Sequence, residues 1–238
     1  MPVNARPGQM AMDGASMRRP VRIVLLNPNT SVVATDVMLA VARRVAPPGV
    51  HVEGRTLAQG EALIAEPQSL ARAGDGVVAR APALMADGFD SLIVAGFGDP
   101  GLVQLKVSWG AAVTGLGEAG IGEAAEGGRR YAIVTVTPAL HANLVQAAHA
   151  HAPPAQLAGV RYTRGHPEHL LQSPQDLQAA LLEACEAAVR LDGAEAIVIG
   201  GGPLAGAAEA LSEQLSVRVV NPVGAAVRLV CARLGISI

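Results

Sequence analysis

The chain has 238 residues, half of them apolar and 16% charged, with a formal net charge of -2. That length fills one large domain or two small lobes, and the apolar share excludes an intrinsically disordered chain. Near-neutral charge and 2% aromatic residues leave neither a basic surface nor stacking platforms for nucleic acid.

Residues 1–20 hold Pro2, Pro7, Gly8, Gly14 and Pro20 but no apolar core of a signal peptide, and read as a disordered tail. No apolar run reaches the roughly 18–20 residues of a membrane span, so a cytoplasmic protein without membrane contact is expected. Short continuous apolar runs at 21–26, 50–56, 91–95, 111–115, 131–136, 157–162, 195–200 and 216–220 predict buried strands. Between most of them lie helix-length stretches with apolar spacings of three and four, such as Val32–Val45, Ser69–Ala86, Ala139–Ala150 and Gln175–Leu191. Strands alternating with helices predict an α/β protein with mainly parallel sheets, whose ligands bind outside the C-terminal strand ends. Cys185 and Cys231 fall in helix-like sequence and read as buried free thiols rather than a disulfide.

The pattern is built twice. The run Leu92–Ala95 ends in Gly96-Phe97-Gly98-Asp99-Pro100-Gly101, and Ala196–Ile199 ends in Gly200-Gly201-Gly202-Pro203-Leu204. Asn27 and Gly96 are 69 positions apart, and Thr135 and Gly201 are 66 apart. Two pseudo-symmetric lobes follow, over 21–125 and 126–220, with the site in the cleft between them. A helix over 221–236 can pack back on the first lobe.

Gly96–Gly101 formally matches a dinucleotide fingerprint, but Asp99 would set a negative charge where a pyrophosphate sits and Pro100 removes an N–H donor. A tight turn, or a cradle of N–H groups for a small carboxylate or ring carbonyl, remains. In Asn27-Pro28-Asn29-Thr30-Ser31, polar side chains can cap the next helix, orient a neutral polar ligand, or both. Thr135-Val136-Thr137-Pro138 holds the equivalent place in the second half. His141, His166 and His169 have no zinc-motif spacing, and neither a GxSxG elbow nor a Walker loop occurs. No metal or cofactor is expected.

The chain resembles the aspartate/glutamate/hydantoin racemase superfamily, nearest its hydantoin racemase branch. The resemblance rests on Leu26–Ser31, Ala95–Leu102, Thr114–Ala119, Ile133–Thr135, Asp192–Val198 and Asn221–Val227, in the family's order. It implies two α/β lobes and a two-base mechanism, with one cysteine on each face of the substrate's α-carbon. It also implies that those cysteines belong where this chain has Gly96 and Gly201, which excludes racemisation by thiols.

The resulting expectation is a cysteine-independent hydrolase or lyase acting on a hydantoin-like or thiohydantoin-like ring or small carboxylate. Asp99 and Glu118 are the candidate catalytic groups, with a raised carboxylate pKa serving to activate water. Asn27, Asn29, Gly96, Phe97, Gly98, Thr135, Thr137, Gly201 and Gly202 are the candidate ligand contacts. A racemase or epimerase using Asp, Glu or His is the alternative, and a non-catalytic small-molecule-binding protein is the third. A small-molecule partner and a homo-oligomer are expected.

Overall fold

The computed structural model describes residues 19–238, so the expected tail lies, apart from Arg19 and Pro20, outside the described residues. Arg19 pairs with the Asp90 carboxylate at 2.5 and 3.0 Å. The first half runs β1 (Val21–Asn27), α1 (Val32–Val45), β2 (Val50–Thr56), α2 (Pro67–Ala86), β3 (Ser91–Val94), α3 (Leu102–Trp109), β4 (Val113–Gly115) and α4 (Leu116–Ala125). The second runs β5 (Tyr131–Thr135), α5 (His141–His151), β6 (Leu157–Tyr162), α6 (Pro167–Gln172), α7 (Pro174–Asp192), β7 (Ala196–Ile199), α8 (Ala208–Ser212) and β8 (Arg218–Val220), closing with α9 (Pro222–Arg233).

The strands form two parallel four-stranded sheets of the same order, β2-β1-β3-β4 and β6-β5-β7-β8. The central strands β3, β5 and β7 are buried along their whole length, which is why they read as unbroken apolar runs. Edge strands β2 and β6 are mostly half-buried and correspondingly more polar.

Helix ends follow local chemistry. Ser31 caps α1 by accepting the Ala34 N–H at 3.1 Å, and Asn221 caps α9 by accepting the Val223 N–H at 3.1 Å. The largest apolar cluster runs through both lobes, joining Ile23, Met38, Ile93 and Phe97 to Tyr131, Ile133, Val198 and Val227. The lobes therefore share a core beneath the cleft. Although α9 follows the last strand of the second sheet, it packs on α1 and α4. Arg233 on α9 reaches the Thr114 hydroxyl and the Glu118 carboxylate, both at 2.6 Å. Cys185 and Cys231 are buried free thiols. Among the described residues no helix is long and apolar enough to cross a membrane.

Candidate functional site

Four strand ends, those of β1 and β3 in one lobe and β5 and β7 in the other, meet around a cleft of ≈ 60 Å³. The β1 turn is held from within. Asn27 is fully buried. Its Nδ2 lies 2.8 Å from Asn29 Oδ1, 2.9 Å from Thr35 Oγ1 and 3.0 Å from the Ser31 carbonyl, while its Oδ1 accepts the Asn29 N–H. Asn27 thus has its amide committed to shaping the loop, and it does not line the cleft. Asn29 does. Its Oδ1 accepts from both Asn27 and the Ser31 N–H at 2.8 Å, which fixes the orientation of the amide. Among the described residues nothing accepts from Asn29 Nδ2, which leaves a donor for a ligand.

The loop after β3 is a tight turn, with the Asp99 N–H donating to the Gly96 carbonyl at 3.0 Å and Gly98 at φ 105°. Asp99 itself sits at φ 52°, unusual for a residue with a side chain. Its carboxylate is turned behind the loop, accepting the Gly117 and Glu118 N–H groups at 2.7 Å each. A carboxylate on the first N–H groups of α4 satisfies donors that the helix leaves open. His151 Nε2 reaches the same carboxylate from the second lobe at 2.9 Å.

Glu118 is equally committed. Arg233 and Lys106 both meet its Oε1, and the Gly115 N–H meets Oε2 at 3.2 Å. Burial alone would raise its pKa, but the hydrogen bonds from Arg233, Lys106 and Gly115 outweigh it and hold the carboxyl below its usual range. Neither Asp99 nor Glu118 lines the cleft. The two carboxylates expected as catalytic groups thus lie outside the cleft lining: one braces the glycine loop, the other anchors α9. A raised carboxylate pKa, the condition for activating water, is the opposite of what Glu118 shows.

Across the cleft stand Thr135 and Thr137, both buried, with hydroxyls 3.4 Å apart. The loop after β7 comes close to the first lobe because it is glycine. A Cβ at Gly202 would run into Met38 Sδ of α1, and one at Gly200 would lie 3.1 Å from the Phe97 ring. Gly96, Phe97, Gly201 and Gly202 all line the cleft, whereas Gly98 does not. The space beside Gly96 is already taken, since a Cβ there would lie 2.7 Å from Pro28 Cγ. Gly201 holds φ 154°, which side chains rarely adopt.

The remaining walls are apolar: Leu63, Ile64, Leu70, Leu140, Leu144 and Leu171, with Pro28, Pro203 and Leu204. Sequence reading missed these residues. The available signal was Leu63-Ile64 and Leu170-Leu171, apolar pairs within segments that otherwise read as connections. Among the described residues no Asp, Glu, His, Cys, Lys, Arg or Tyr lines the cleft. His141 bonds the Tyr162 hydroxyl at 2.7 Å, and the His166 and His169 rings lie tilted at 47° with centroids 5.4 Å apart. No group of His, Cys, Asp and Glu among the described residues is arranged to hold a metal. Cys185 lies on α7, where burial, with a smaller effect from the Glu186 charge, pushes its thiol up to about 12. Burial likewise raises that of Cys231 on α9.

A family model for Asp/Glu/Hydantoin racemase matches residues 23–230. The chain belongs to the Asp/Glu/hydantoin racemase family. It is 28% identical over 210 residues to hydantoin racemase from Paenarthrobacter aurescens, covering 88% of this chain and 89% of that one. Its structure is similar to that of allantoin racemase from Klebsiella pneumoniae, with a TM-score of 0.81 and 31% identity over 91% of this chain and 89% of that one. The allantoin racemase from Pseudomonas fluorescens gives the same TM-score of 0.81, at 28% identity over 91% and 93%. This family member therefore has the family's two α/β lobes. Gly96 and Gly201, where the resemblance puts the family's cysteines, both line the cleft between them.

Proposed function

We propose that the cleft binds a small hydantoin-like ring and holds it without two-base racemisation. The observation that carries this reading is the neutral lining: two-base chemistry needs a base and its conjugate acid on opposite faces of one carbon. Amides and unactivated hydroxyls can orient a ring but cannot exchange that proton. Asn29, Thr135 and Thr137 supply hydrogen bonds to ring N–H and C=O groups. The N–H groups of Gly96, Phe97, Gly201 and Gly202 meet no acceptor within the described residues and are available to a carbonyl oxygen. The expected hydrolase or lyase chemistry has no support in the site. The carboxylates expected to activate water are committed elsewhere, and the named relatives are racemases.

Those same names favour a second reading, racemisation of the ring by an acid and a base from outside the lining. His141, next to the lining residue Leu140, is the nearest candidate in sequence. Calorimetric titration with 5-isobutylhydantoin tests the first reading. Saturable binding is expected, weakened about 2- to 12-fold in Asn29→Ala, as the loss of one hydrogen bond of roughly 0.5–1.5 kcal/mol implies. No binding, or an unchanged affinity in the variant, contradicts it. Deuterium exchange at the ring C5 separates the two readings.

A further inference from the structure

We infer that His151 is a positioning residue: by gripping the Asp99 carboxylate across the lobe boundary, it fixes the glycine loop that lines the cleft. Its effect on ring binding rests on the proposed function, whereas its effect on the loop does not. His151 ends α5 in the second lobe, and its Nε2 donates to Asp99 Oδ2 in the first at 2.9 Å. The Asp99 side chain is only 6% exposed and that of His151 19%, so water competes little for this bond. Asp99 lies two residues after Phe97, and its own N–H closes the turn on the Gly96 carbonyl. A restraint on the carboxylate is therefore passed to Gly96 and Phe97, both of which line the cleft.

The carboxylate sits in a fitted socket. Its oxygens accept the Gly117 and Glu118 N–H groups at 2.7 Å each. Glycine at 115 and 117 leaves the room: a Cβ at Gly115 would overlap the carboxylate, and one at Gly117 would lie 2.8 Å from Oδ2. Those N–H groups hold Asp99 within its own lobe, while His151 ties it to the other. The same helix also carries part of the cleft wall. Leu140, just before α5, and Leu144, in its first turn, line the cleft. Leu144 stands about 10 Å along the helix from His151, at about 1.5 Å per residue. One rigid element thus sets the second lobe's wall and clamps the first lobe's loop. A loop held in place before the ligand arrives binds without the entropy cost of ordering it.

Hydrogen exchange read by mass spectrometry, together with calorimetric titration of 5-isobutylhydantoin, tests this in the wild type, His151→Ala, His151→Gln and His149→Ala. Gln keeps an N–H donor at similar reach, and His149 is exposed in the same last turn of α5. His151→Ala is expected to speed exchange in segments 96–102 and 115–118 by about 2- to 12-fold, and to weaken ring binding by a similar factor, as the loss of one hydrogen bond implies. Exchange in α7 should stay at the wild-type rate. His151→Gln should restore most of both properties, and His149→Ala should change neither. Wild-type exchange at 96–102 in His151→Ala overturns the inference, as does a rise that extends equally to α7. So does exchange in His151→Gln as fast as in His151→Ala, or the same change in His149→Ala. Where the wild type binds the ring, an undiminished affinity in His151→Ala also overturns it. Where the wild type binds no ring, the proposed function fails, and exchange alone decides the role of His151.

Discussion

Asp99 shows how a motif residue can be visible in a sequence while its role is not. Gly-Asp-Pro-Gly after a strand announces a turn beside the site, and that turn is present. Which way the carboxylate points is decided by two N–H groups of α4, 18 and 19 residues later in the chain, and no local pattern records that. Asn27 is a similar case: its amide is spent on its own loop, and the amide that lines the cleft is that of Asn29. The glycines carry the clearest prediction at this scale. Gly96→Cys combined with Gly201→Cys would put Cβ atoms against Pro28 and Leu204, the second at φ 154°. The double variant is expected to lose about 1–3 kcal/mol by overpacking and backbone strain, read from urea denaturation. It should gain no racemase activity without rearrangement of the Pro28 turn. Wild-type stability in the double variant would show that the loops are looser than described.

Elements were far more legible than side-chain roles. All eight strands fall where the apolar runs put them, and Val32–Val45 forms the expected helix, because burial on both sheet faces writes itself into composition. The partners of α9 were harder to read, since they depend on Arg233, Glu118 and Lys106 meeting across three helices. Removing Arg233 leaves Glu118 largely buried with fewer partners. Arg233→Ala should cost more than the roughly 1 kcal/mol of an exposed pair and less than the about 3–5 kcal/mol of a fully buried one. The Glu118 carboxyl titrates lower in the folded chain than its ordinary 4.5. Its stabilising contribution is therefore complete above that value and lost as pH falls through the lowered one. Thermal unfolding followed from pH 7 to pH 3 should show this loss in the wild type and a shallower loss in Arg233→Ala. Parallel curves for the two proteins would remove Glu118 as the cause.

At the scale of the molecule, two sheets of identical strand order bring strand ends to one cleft lined by glycine loops and aliphatic side chains. The duplication was readable from spacing alone, because each half must bring its strand ends to one edge. The walls were not, since Leu63, Ile64 and Leu171 lie in connections whose sequence has no period. The architecture is that of the family, and among the described residues no Asp, Glu, His, Cys, Lys, Arg or Tyr lines the cleft. The most direct test follows one enantiomer of 5-isobutylhydantoin in deuterated water by proton NMR and optical rotation, with enzyme at saturating ligand and a protein-free control. The account predicts ligand-bound protein with C5 deuteration and loss of rotation no faster than in the control. Protein-dependent deuteration at C5, with rotation decaying alongside it, would contradict the account and establish racemisation by groups outside the described lining.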